Sequence, residues 1–261
     1  MDNAPTAGEY IHLYVWHDRF LYVGPSKATT SHRNHAAAWL AAPGAQLRVT
    51  LADGTELCDE AVYIPSGVEY ATQGVDVAIA ALFWEPESAS FRAAMATNSE
   101  TPRAFSFPHP VDGVVEKLQT AGTSPAEAYR SIEKLFGFSG STPAFAPTLD
   151  ARVEAALAFL RESPQHYGSI EALAEMVHLS PSRLAHVFKQ EVGVPVRRYV
   201  LWTKMRRALD LAIAGESLTS AALSAGFSDS AHLSRTVRSM MGIAPEYLFR
   251  HRNRLVVHRG D

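Results

Sequence analysis

The sequence holds a single cysteine, Cys58. No intrachain disulfide can form and no Cys-rich zinc site can be built, so Cys58 reads as a small apolar residue. Long apolar runs are missing as well. The longest, around residues 77–84, is far short of the roughly 20 residues that cross a bilayer. The opening stretch MDNAPTAGEY has neither a basic start nor an apolar stretch after it. It does not read as a secretory signal, and the expected location is the cytoplasm with no membrane partner. Catalytic signatures are lacking too. There is no GxxxxGK[ST] phosphate loop, no GxGxxG after a strand, no HExxH and no GxSxG. Glu85 and Glu87 flank Pro86, and a strand-to-helix junction with solvated charge accounts for them. No catalytic residue, cofactor or resident metal is expected.

The chain has 261 residues, enough for two domains, and a formal net charge of −3. That small total hides an asymmetry. Residues 1–150 carry 9 Lys and Arg against 17 Asp and Glu, whereas residues 151–261 carry 15 against 10. A phosphate-binding domain belongs in the second half and not in the acidic first half.

The basic half contains one pattern twice. Residues 169–195 read SIEALAEMVHLSPSRLAHVFKQEVGVP, and residues 217–245 read SLTSAALSAGFSDSAHLSRTVRSMMGIAP. Without gaps, Ser169, Leu179, Ser180 and Ser182 fall on Ser217, Phe227, Ser228 and Ser230. One extra residue near His232 then brings Leu184, Lys189, Gly193 and Val194 onto Leu233, Arg238, Gly242 and Ile243. Each copy reads as helix, short turn, helix. In the first, Ile170, Leu173, Ala174 and Val177 form an apolar stripe at helical spacing. Ser180 suits an N-cap and Pro181 a first helical position.

The second helix of each copy has two faces. Leu184, Val187, Phe188 and Val192 point to a core, and Ser182, Ala185, His186 and Lys189 lie on the other side. In the second copy Leu233, Val237, Met240 and Met241 point inward, and Ala231, Ser234, Arg235 and Arg238 point outward. Small and basic side chains on a helix beside a tight turn suit the major groove of duplex DNA. Arg183 and Ser230, at the helix starts, complete the expected DNA-facing set. One such pattern alone could be a packed helical pair; two with matching outward faces point to double-stranded DNA. Residues 196–214 between the copies read as one helix. About 19 residues at ~1.5 Å each span roughly 28 Å. That is near the ~34 Å between successive major-groove windows.

Over residues 149–249 the sequence resembles the DNA-binding domain of the AraC/XylS family of bacterial transcription regulators. The resemblance rests on LAEMVHLSPSRLAHVFKQEVG, KMRRALDLA and AGFSDSAHLSRTVRSMMGIAPEYLFR. It implies that the position of Arg235 faces base edges. It also implies RNA polymerase, a small-molecule effector and a second copy of the chain as partners. Two positions depart from the pattern. Val237 stands where members commonly carry Phe, and His178 stands where the second copy has Gly226. That turn position often needs positive φ, which His tolerates better than a branched residue.

The first half reads as short strands over residues 10–16, 20–23, 36–42, 47–51, 61–64 and 75–84, separated by Gly- and Pro-rich turns. Helices are expected over residues 88–96, 112–120 and 125–136, and GFSGSTPAFAP is a linker by composition. This order resembles full-length AraC-type regulators, in which a cupin-like barrel binds an effector and the following helices dimerise. SHRNH at residues 31–35 and IPSGVEY at residues 64–70 resemble the two cupin motifs. Tyr70, however, stands where the second motif has its His, and His32 and His35 would sit on opposite faces of a strand. Converging metal ligands are therefore not expected. The aromatics Tyr14, Trp16, Tyr22, Trp39, Tyr63 and Tyr70 are candidates to line a pocket inside the barrel, or else to fill the core. The expected effector contacts are His32, His35, Trp39, Tyr63 and Tyr70.

The expected fold is α+β in two domains. A cupin-like β-barrel with trailing helices occupies residues 1–136 and a linker residues 137–148. An all-α domain with two helix-turn-helix motifs joined by a long helix occupies residues 149–261. The competing reading is a cupin-type metalloenzyme or sensor with a helical interaction module.

Overall fold

The computed structural model describes residues 10–96, 104–106, 113–120, 122–135, 148–250 and 252–260. Except for Thr148, the expected linker lies outside the described residues, as do Asp112 and Phe136. The chain divides into two compact units, residues 1–146 with 246–261, and residues 147–245.

The first unit contains two sheets. Its strands are β1 (Ile11–Val15), β2 (Arg19–Pro25), β3 (His32–Arg33), β4 (Ala37–Ala41), β5 (Leu47–Leu51), β6 (Glu56–Asp59), β7 (Ala61–Ile64), β8 (Glu69–Thr72), β9 (Ala78–Trp84), β10 (Phe105–Ser106) and β11 (Leu255–Arg259). Seven form one sheet in the order β10-β7-β4-β9-β2-β1-β11, and four form a second in the order β3-β8-β5-β6. Among the described residues no ladder joins the two sheets, so the expected barrel is not closed. Pairing is antiparallel throughout, except that β11 runs parallel to β1.

The strand β4 reads AAWLA and is buried at every position. A strand flanked by β7 and β9 and covered on both faces has no polar side to present. Cross-strand register sorts the large sheet into faces. Tyr14 pairs with Leu21, Leu21 with Leu82, Leu82 with Trp39, and Trp39 with Tyr63. Directly paired residues share a face. This row packs in one core with Val115 and Leu118 of α2 (Val114–Leu118) and Ala128 and Ile132 of α3 (Pro125–Leu135). Phe91 of α1 (Ala89–Ala96) packs against the same core. Tyr14 completes its hydrogen bonding there by donating to the Leu118 carbonyl at 2.9 Å. The opposite face carries the row Leu13, Tyr22, Ala81, Leu40 and Val62.

The second unit is helical, with α4 (Ala151–Glu162), α5 (Ile170–Met176), α6 (Pro181–Val192), α7 (Val196–Ala214), α8 (Leu218–Ser224) and α9 (Ser230–Met241). The short helix α10 (Glu246–Arg250) and β11 follow. The sequence reading counted residues 246–261 with the helical half; they cluster with the first unit instead.

Candidate nucleic-acid interface

Two helix pairs repeat each other in length. The helices α5 and α8 each have 7 residues, and α6 and α9 each have 12. Their starts are fixed by capping side chains, of which the sequence names Ser180. Ser169, Ser180, Ser217 and Asp229 are N-caps that accept from the backbone N–H of Ala172, Arg183, Ser220 and His232. Each satisfies an N–H that the first turn leaves without a helical partner. Pro181 opens α6 where a missing N–H costs nothing. Both α6 and α9 end on a left-handed glycine, Gly193 and Gly242.

The turns between the paired helices match as well. In the first, Leu179 N–H reaches back to the Ala174 carbonyl at 2.8 Å; in the second, Phe227 N–H reaches the Ala222 carbonyl at 2.9 Å. Such a reverse bond needs a left-handed residue just before it. Gly226 supplies it at φ 85°, and His178 supplies it at φ 54°. His178 is the non-glycine residue with positive φ among those described. The two turns differ by one residue. Since Pro181 and Ser230 each open their helix, Ser180 corresponds to Asp229 and Ser182 to Ala231. The extra residue of the second copy is therefore Ser228, in the turn, and not a residue near His232. Ser228 bonds Asp229 at 3.0 Å and meets the His232 ring at 3.2 Å.

This register puts the two outward faces in step. On α6, Ser182, Arg183, His186 and Lys189 are exposed and Ala185 is half-buried. On α9, Ala231, Arg235 and Arg238 are exposed and Ser230 and Ser234 are half-buried. The inner faces are closed by Leu184, Val187, Phe188 and Val192, and by Leu233, Thr236, Val237 and Met240. Met241, expected inward, is half-buried, and Thr236 takes a buried place. Phe188 meets Tyr199 of α7 edge to face at 5.6 Å between centroids.

The 19-residue helix α7 joins the two pairs. Its Lys204 donates to the Gly226 carbonyl at 3.1 Å, which ties the second turn to the joining helix. Partial burial lowers the Lys204 ammonium below its ordinary pKa. At the other motif, Glu191 of α6 accepts from the Asp150 N–H at 2.8 Å and fixes the start of α4. Neither tie was visible in the sequence, since both join residues far apart in the chain with no periodic signal.

The five expected effector contacts occupy three different places. Trp39 and Tyr63 are cross-strand neighbours, 4.6 Å between centroids, on the face of the large sheet covered by α2 and α3. They fill that core and do not face the second sheet. His32 and Tyr70 pair across β3 and β8, with ring centroids 4.2 Å apart. His32 also meets the Thr30 carbonyl at 2.9 Å. Burial lowers the His32 pKa, against the Thr30 carbonyl and the Glu69 carboxylate. His35 is fully buried 3.0 Å from the Glu87 carboxylate; Glu87, and Glu85 with it, is buried and not the solvated charge the sequence suggests. Sequence alternation could sort residues into two faces but could not say which face the helices cover. Among the described residues no group of three His, Cys, Asp or Glu side chains is placed to hold a metal ion.

Residues 173–251 match the family model described as a helix-turn-helix domain. The chain is 29% identical over 102 residues to the arabinose operon regulatory protein of Salmonella typhimurium, covering 38% of this chain and 36% of that one. It is 34% identical over 83 residues to the bifunctional transcriptional activator/DNA repair enzyme Ada of Escherichia coli, covering 32% of this chain and 23% of that one. The matches thus span about a third or less of those relatives' length. ToxT from Vibrio cholerae superposes with a TM-score of 0.59 at 12% identity, over 89% of this chain and 98% of that chain. At that identity the likeness is one of fold.

Proposed function

We propose that this chain, an AraC-family regulator by its C-terminal helix-turn-helix domain, controls transcription by binding a specific duplex site under the control of a small molecule held by its first unit. The observation that carries this is the doubled motif, with equal helix lengths and outward faces in step. A 19-residue joining helix is about 28 Å long. That length suits two reading helices in successive major-groove windows.

In this reading Ser182, Arg183, Ala185, His186 and Lys189 line one groove, and Ser230, Ala231, Ser234, Arg235 and Arg238 the next. Lys189 and Arg238 meet phosphate, and Arg235 reads guanine. The first unit is the sensor. Its acidic balance keeps it off the DNA. Small-molecule control has a parallel in ToxT, of which a structure bound to an unsaturated fatty acid is known. The protein works in the cytoplasm without catalytic turnover, as a homodimer that engages RNA polymerase. Among the described residues no helix is long and apolar enough to cross a membrane.

The test is binding of the intact chain to genomic fragments flanking its own gene at moderate salt. Binding to one or a few fragments over an excess of unrelated duplex supports the reading. Equal retention of every fragment, or none, contradicts it.

A further inference from the structure

The register between the two motifs picks out a side chain that the expected DNA-facing set omits. With Pro181 and Ser230 as the first residues of their helices, His232 stands in α9 where Arg183 stands in α6. It lies in the first turn, three residues before Arg235, so the two side chains are neighbours on the helix surface. In a helix-turn-helix the early positions of the second helix are the ones that reach base edges.

We propose that His232 is a further sequence-reading residue, held by Ser228 so that its Nε2 accepts a hydrogen bond from the amino group of an adenine or a cytosine in the major groove. This rests on the proposed function and adds to it a base chemistry that the basic residues cannot read.

Protons decide the polarity of the ring. The Ser228 hydroxyl has one proton to give. Asp229 takes it through Oδ2 at 3.0 Å. The Asp229 carboxyl is held below its ordinary pKa, first by the His232 backbone N–H that it caps and then by Ser228 itself. A hydrogen bond to a carboxylate is roughly twice as strong as one between neutral groups, so the hydroxyl proton stays with Asp229. The His232 Nδ1 lies 3.2 Å from the same hydroxyl oxygen. In that contact Nδ1 is therefore the donor and the Ser228 oxygen the acceptor. A neutral imidazole carries one N–H and one lone pair. With the proton on Nδ1, the lone pair is on Nε2. Among the described residues none bonds to Nε2.

The ring is also fixed in place. Phe227, in the turn, meets it edge to face with centroids 5.1 Å apart. A flip of the ring would set a carbon against Ser228 and lose the bond to it. The arrangement belongs to the second motif alone. Ser228 is the residue by which its turn is longer, and Arg183, the counterpart of His232, has donors only.

An acceptor at this place discriminates between bases. In the major groove adenine N6 and cytosine N4 donate, whereas guanine and thymine offer O6, N7 and O4 as acceptors in their stead. Arg235 and Arg238 can only donate. With His232 beside Arg235, α9 reads both polarities.

The experiment has two arms, both on the full chain. The first needs no DNA. Nitrogen NMR of the imidazoles at about pH 8, above the range in which imidazole ordinarily charges, should show His232 protonated at Nδ1. Ser228→Ala should shift it away from that tautomer. His232 protonated at Nε2 in the unsubstituted chain overturns the proposal. The second arm measures binding to the natural operator with each adenine in turn replaced by purine, and each cytosine by the analogue that lacks the amino group. At one position the loss should weaken the unsubstituted chain about fivefold, as one missing hydrogen bond implies. His232→Phe keeps a ring against Phe227 and removes the acceptor. It should bind the natural operator more weakly and be indifferent to that same loss, while Arg235→Ala still feels it. A thermal melt checks that each variant is folded. Should His232→Phe not fold, Ser228→Ala decides, by a smaller penalty for the same loss. A chain that binds its operator selectively, yet has no amino group whose loss either variant masks, overturns this proposal and leaves the proposed function standing. A chain that selects no fragment overturns both.

Discussion

Single residues decide where the reading helices begin. Ser180 caps α6 through the Arg183 N–H at 3.2 Å. Ser180→Ala should cost about 1 kcal/mol, and Ser180→Gly only a few tenths. Thermal melts of the two variants check this order. A second prediction concerns three histidines of the first unit. His12 and His32 are buried and His258 is half-buried, and burial is the leading cause that lowers the pKa of each. His12 and His258 also face each other at 3.2 Å, so one charge disfavours the other. As pH falls past the ordinary value of about 6.5, the unfolded chain takes up protons that the folded chain resists. Stability is therefore fully present above about pH 6.5 and is lost below it. The melting temperature should drop between pH 7.5 and 5.5, and drop less in His258→Gln. A melting temperature that holds or rises on acidification would count against this. The Ser180 cap and the left-handed His178 were legible in the sequence because they depend on neighbours a few residues away. The His12–His258 pair was not, because its partners are 246 residues apart.

At the scale of elements, periodicity found most strands and helices of the first unit but not their layering. The strand β4 was clear as an apolar run, yet only pairing shows that Trp39 and Tyr63 lie under α2 and α3. Short strands such as β3, β6 and β8 escaped for want of length. The strand β11 escaped because its five residues LVVHR adjoin a helical domain, while its partner is near the other end of the chain. Its pairing covers the edge of β1, where Ile11, Leu13 and Tyr14 are buried. Removing residues 255–261 should lower the melting temperature of the first unit and promote self-association, because an apolar edge strand is left open. Differential scanning calorimetry with sedimentation checks both effects. An unchanged melt and an unchanged molecular mass would show that β11 contributes nothing.

For the whole molecule, the helical unit was the most legible part, since its contacts are local and its pattern occurs twice. The position of residues 246–261 was the least legible. Because these residues cluster with the first unit, a fragment of residues 147–245 should carry the DNA-binding function by itself. Its affinity should fall below that of the intact chain, because joining two binding modules raises effective concentration. The most direct test of the account is base preference in three variants of the intact chain: Arg235→Ala, Arg238→Ala and His186→Ala. Each is bound to the natural operator and to a set of single-base substitutions of it across a salt series. Arg235→Ala should cost about 1 to 3 kcal/mol at the natural site and relax preference at one or two base pairs. Arg238→Ala should weaken all duplexes alike and lower the salt slope by about one unit. His186→Ala should shift preference less than Arg235→Ala. An unchanged base preference in folded Arg235→Ala would contradict the proposal that Arg235 reads guanine in the groove.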